Sequence, residues 1–158
     1  MHLELHPVLA HFPVALVVVA LLFDWGRWIF ARGRLLEAEF WGGTTPLLVA
    51  ALIGVGLSVA TGLIAEESAP KSEIVGELIE AHETAAFVVA GGLALLTFWR
   101  IAVRGRFPRK WPFLYLALLM VVAVVLGYGA YLGGVMVYSH GAGVSLGLQS
   151  AHIPQAQM

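Results

Sequence analysis

WPFLYLALLMVVAVVLGYGAYLGGVMVY, residues 111–138, runs for twenty-eight residues without one charged side chain. At the helical rise of about 1.5 Å per residue, such a run exceeds the roughly 30 Å of bilayer hydrocarbon. A helix there must tilt, or break near Gly133 and Gly134. Upstream, Pro46 to Ala65 gives twenty uncharged residues, a direct match to the hydrocarbon thickness. The remaining spans are read over about 7–30 and 82–103, the latter extended by the acidic, amphipathic SEIVGELIEAHE from Ser72. The whole chain agrees: 158 residues, 59% hydrophobic and 12% charged, with mean hydropathy +0.86. A soluble domain does not need that much apolar sequence. The expected fold is an all-α membrane protein, an antiparallel four-helix transmembrane bundle. Residues 1–144 form one domain in this reading, with spans at about 7–30, 46–65, 82–103 and 111–138, and 145–158 form a short tail.

Charge sets the orientation. Arg27, Arg32 and Arg34 follow the first span, and Arg100, Arg104, Arg106, Arg109 and Lys110 lie between the third and fourth; Lys71 is the exception. Short loops rich in Lys and Arg stay in the cytoplasm, so both termini are expected outside. Trp25, Trp28, Trp41, Trp99 and Trp111 lie near the same inner boundary, as belt residues do. Asp24 is expected to accompany Arg27, one turn later, to the interface. MHLELHP lacks a basic n-region and reads as mature sequence rather than a cleaved signal. The localisation implied is a bacterial inner membrane. The basic residues flank spans and form no basic and aromatic surface, so no nucleic-acid partner is expected. The chain has no cysteine, which excludes disulfides, thiolate metal sites and covalent haem attachment.

All six histidines fall towards the side opposite the arginines. His2 and His152 lie in terminal segments, and His6 precedes Pro7 at a helix start, where a capping role competes with ligation. His11 and His82 stand nearer span interiors, where ionisable groups are functional candidates; His140, beyond Gly133 and Gly134, fits a ligand or an interfacial role equally. Placing His11 on His82 lays AHFPVALVV on AHETAAFVV and Trp28 on Trp99. This suggests two repeated hairpins related along the membrane normal, with spans one and three diagonal. His11 lies sixteen residues from Arg27, and His82 eighteen from Arg100, so the two histidines are level within about one turn. The expected site is therefore haem b between spans one and three, with His11 and His82 as axial ligands and His140 and His6 in reserve. Glu66, Glu67, Ser68, Thr84 and Tyr138 are the depth-matched partners for the second imidazole nitrogens. Lys71 alone is near enough to serve a propionate. An alternative keeps the histidines, with Glu66, Glu67 or Glu83, and binds a copper, zinc or iron ion. A regular helix would not aim His6 and His11, five apart, at one ion. No hydrolytic triad or phosphate loop is present. The acidic segment from Glu66 to Glu83 reads as a solvated face before it reads as a dock for a basic carrier.

HPVLAHFPVAL at 6–16, AHETAAF at 81–87 and GGVMVYSHGAGV at 133–144 together resemble the bacterial four-span proteins filed as domain of unknown function 2231. That family's pattern has an HP…HFP start, a histidine opening the third span and a GG…VY-x-HG ending. The resemblance covers His6 to Val144 and implies that His6, His11, His82 and His140 are its recurring histidines, along with Gly133, Gly134, Tyr138 and Gly141. The family's activity is unassigned; its layout is similar to the four-helix cores of membrane cytochromes b. With every histidine at one face, a two-haem conductor does not fit, and one haem is the most this chain should hold. The expected role is an electron carrier or redox-complex subunit rather than a stand-alone enzyme. It would exchange electrons with a quinol or a periplasmic carrier, as a homodimer or within a larger complex. The contrasting expectation is a cofactor-free structural or assembly subunit.

Overall fold

The computed structural model describes residues 5–30, 44–66, 72–104, 106–108 and 110–141. Four α-helices account for nearly all of them: α1 (Leu5–Phe30), α2 (Thr45–Glu66), α3 (Glu73–Ala102) and α4 (Pro112–His140). All four are long and apolar enough to cross a membrane. Local chemistry sets several ends. The Ser72 hydroxyl accepts from the Val75 amide at 3.3 Å and caps α3. Pro112 opens α4, where its missing N–H costs nothing. Gly141, at φ 64°, adopts the left-handed turn that closes α4 after His140. The fourth helix continues unbroken through Gly133 and Gly134. The tail at 145–158, His2, Arg32, Arg34, Trp41, Lys71, Arg109 and His152 lie outside the described residues.

Each helix packs against two neighbours. The first touches α2 and α4, the third touches the same two, and α1 and α3 stand diagonal. Side chains confirm the up-down course. Asp24, Thr44, Arg100 and Tyr115 meet at the end that carries the basic residues. His6, Ser58, His82 and Gly129 meet at the other.

The inside of the bundle is a ladder of small and branched residues. Val17, Ala20, Leu48, Ala51, Leu93, Leu96 and Leu119 are fully buried. Large apolar side chains point outwards instead: Phe12, Leu22, Phe30, Phe98, Phe113 and Val124 are each more than half exposed. In water that much exposed apolar surface would drive association. In lipid it is the solvent-matched face, and helices are held by close packing and polar contacts. Gly92 shows how close the packing is, because a Cβ there would stand 2.5 Å from Val122 Cγ2. Gly54 likewise admits the Pro13 ring.

Candidate functional site

The histidine end brings together a pair that differs from the one the sequence suggests. His6 and His82, on diagonal helices, have ring centres 6.3 Å apart and planes inclined at 77°. His11 lies on the exposed side of α1. The reason is that α1 already includes Leu5 and His6, so His6 lies within the helix rather than in a leading loop. In a regular helix, five residues place His11 about 140° round from His6. His140, the last residue of α4, is exposed.

The two imidazoles are held alike. Nδ1 of His6 donates to the Ser58 carbonyl at 3.0 Å, with the Thr61 hydroxyl a second acceptor at 3.3 Å. That hydroxyl is itself turned towards the Leu57 and Ser58 carbonyls. Nδ1 of His82 donates to the Gly129 carbonyl at 2.9 Å. A carbonyl only accepts, so Nδ1 must carry the hydrogen in both rings, and the neutral imidazole keeps its lone pair on Nε2. Backbone carbonyls thus fill the place that Glu66, Thr84 and Tyr138 were expected to take; Glu67 and Ser68, also expected there, lie outside the described residues. One turn beyond each carbonyl is a glycine facing the same ring. A Cβ on Gly62 would stand 3.0 Å from Cε1 of His6, and one on Gly133 would stand 3.6 Å from Cε1 of His82.

His6 lies just outside the apolar run Val8–Phe30. Burial holds its imidazole below the usual histidine range; the Ser58 hydrogen bond opposes that shift and nearby His82 adds to it. A lowered value keeps the ring neutral, and its lone pair available, further into the acid range than a free imidazole. Below the rings lies an apolar cleft of about 80 Å³, walled by residues that include Ala10, Pro13, Val55, Ala86, Val125 and Ala130 and reaching His82 and Gly129. Among the described residues, no three His, Asp or Glu side chains are gathered around a common point. The site is a pair.

A second polar cluster lies at the basic end, where sequence reading placed only boundary residues. Asp24, Thr44 and Arg100 are all fully buried. The Thr44 hydroxyl donates to both carboxylate oxygens of Asp24, at 2.8 and 3.0 Å, and accepts from Arg100 Nη2. Tyr115 donates to Asp24 at 2.7 Å, and its ring lies 5.6 Å from the guanidinium carbon of Arg100. Arg100 Nε donates to the Thr45 hydroxyl, and Nη1 is 3.7 Å from Asp24 Oδ1. Asp24 therefore pairs across the bundle with Arg100, and does not follow Arg27 to the interface. The usable signal was a carboxylate at the end of a long apolar run, whose cheapest burial is opposite a cation.

The family model described as "Predicted membrane protein (DUF2231)" matches residues 2–146. No curated protein and no solved structure matches the chain.

Proposed function

The chain belongs to the DUF2231 family of predicted membrane proteins, and from that premise we propose that it is a redox protein whose His6 and His82 ligate one haem b iron. The observation that supports this reading is the geometry of the pair. With metal–nitrogen bonds of about 2 Å, two imidazoles on opposite sides of one ion have ring centres roughly 6 Å apart; here the separation is 6.3 Å. Both Nδ1 atoms are tied to carbonyls, the arrangement that fixes a ligating tautomer and strengthens the donor. The chain lacks thiolate donors, so two neutral imidazoles are the strongest soft-to-borderline set it offers.

The donors suit haem iron; the space beside them is tighter. A cleft of about 80 Å³ falls short of the few hundred Å³ that cofactor pockets commonly offer. Haem entry therefore requires the helices to part at the histidine end. When bound, the haem would supply one-electron chemistry at the face opposite the arginines, which the positive-inside rule makes the periplasmic face of an inner membrane. The protein's own part is to hold both imidazoles oriented through Nδ1, and to exclude water with the apolar wall beneath them. A quinol or a soluble carrier is the partner class that such a site serves. His11 and His140 are outside this ligand set.

The tightness of the cleft favours one other reading, a bare copper or zinc ion held between the same two nitrogens. Absorption spectra of the protein purified in mild detergent, after expression with ample haem, separate the two. The haem reading expects a Soret band and b-type α and β bands on dithionite reduction, at about one haem per chain. A featureless visible spectrum with one equivalent of metal by elemental analysis selects the bare ion. With neither haem nor metal, the histidine-pair site is wrong and a structural subunit remains.

A further inference from the structure

Diagonal helices in a four-helix bundle have no shared ridge to fix their relative height, because each packs against the two helices between them. In this protein α1 and α3 are such a pair. Their side chains nevertheless meet across the bundle axis at two levels, His6 with His82 and Asp24 with Arg100. The spacing is the same on both helices: eighteen residues separate His6 from Asp24, and eighteen separate His82 from Arg100. At the helical rise each interval is about 27 Å.

The correspondence extends through the buried face. Pro13, Val17 and Ala20 step towards Asp24 with the spacing by which Val89, Leu93 and Leu96 step towards Arg100. The intervening helices match at a different offset. Thr44 corresponds to Tyr115, Ser58 to Gly129 and Gly62 to Gly133, each seventy-one residues apart, against seventy-six for the diagonal pair. Twenty residues separate Asp24 from Thr44 and fifteen separate Arg100 from Tyr115, and the two offsets differ by that same five. The chain thus has approximate twofold symmetry about the bundle axis, with both cross-axis pairs on it. The hairpin repeat visible in the sequence at the His11-to-His82 offset has the right symmetry but a different register on α1.

We propose that Asp24 and Arg100, joined through Thr44 and Tyr115, form a register lock that sets the height and separation of α1 and α3, and so positions His6 against His82. Every helix or its leading residue supplies one member of the lock, so a shift of any helix breaks a buried hydrogen bond. Charge is well suited to the task because the lock has no low-energy alternative partner inside an apolar bundle. In lipid, where apolar packing discriminates weakly between registers, one buried polar cluster can select the correct one. His6 and His82 gain a defined spacing without any backbone contact between the helices that carry them. The inference takes the histidine pair as the site, but the lock itself does not depend on what the pair binds.

Because the pair straddles a twofold axis, exchanging its charges should preserve it. The chain lacks cysteine, so labels can be placed cleanly at the exposed Val8 and Thr84, close to the two histidines on α1 and α3. Spin labels at V8C and T84C would report the α1–α3 distance in reconstituted full-length protein by electron paramagnetic resonance, with no cofactor needed. A single narrow distance is expected for the parent, a broadened or shifted one for Asp24→Arg or Arg100→Asp alone, and recovery for the double exchange. If the single reversals fail to fold, Tyr115→Phe and Thr44→Val each remove hydrogen bonds without reversing charge, and partial broadening is expected. An unchanged distance in the folded single variants, or in both milder ones, overturns the lock; so does a double exchange that recovers neither folding nor distance. A protein without haem whose label distance still depends on the pair would reject the haem reading and keep the lock. A haem protein with an indifferent distance would do the reverse.

Discussion

The two ends of this bundle solve opposite problems with the same architecture. At the basic end the buried polar atoms are mostly paired with one another: Asp24 receives Thr44 and Tyr115, and Arg100 reaches Thr44, Thr45 and Asp24. At the histidine end, among the described residues, each imidazole is tied through Nδ1 to a backbone carbonyl, with the Thr61 hydroxyl also near His6. The first end invests its hydrogen bonds in holding four helices together. The second holds two side chains ready. A densely paired network suits structure, whereas an oriented pair of imidazoles suits the ligation proposed for it.

That contrast can be broken at either end, and the largest loss is expected where the network is closed. Asp24→Leu should strand the Arg100 guanidinium and lower stability by about 3–5 kcal/mol, while replacing both charges by leucine should cost less than either single change. Thermal unfolding in one detergent would show the non-additivity, and a double-variant cost equal to the sum of the two single costs would mean the ions are not coupled. At the histidine end the expected effects fall on binding. Gly62→Val would place its side chain against the His6 ring, already 3.0 Å from a bare Cβ, and should weaken metal or haem affinity about 10–100-fold. Unfolding should shift far less than for Asp24→Leu. Thr61→Val removes only the longer acceptor of His6, at 3.3 Å, and should cost about 0.5–1.5 kcal/mol. A loss as large as that from Gly62→Val would mean the hydroxyl, rather than the Ser58 carbonyl, holds the ring.

The sequence made the bundle legible because apolar run length and arginine placement are one-dimensional signals. The second and fourth spans, free of charge over twenty and twenty-eight residues, needed no tertiary information. Which histidine faces inwards is a rotational question, and it turned on whether Pro7 starts the helix or lies within it. Reading His6 as a cap left His11 to face His82, whereas the helix includes His6 and brings its ring beside that of His82. Asp24 and Arg100 were hidden for a related reason. Both stand next to other charges in the sequence, and a flanking charge looks the same as a buried one until its partner helix is known. The equal eighteen-residue intervals were readable from the start, but only as the distance between two pairs whose pairing was not yet apparent.

The dithionite-reduced spectrum of His6→Ala should be recorded beside that of His11→Ala, each purified in the same detergent with the same haem supply. If His6 is a ligand, His6→Ala loses or grossly alters the b-type α band and His11→Ala retains the parent spectrum. The opposite result, an intact band without His6 and a lost one without His11, would contradict that assignment and return the ligand to the exposed side of α1.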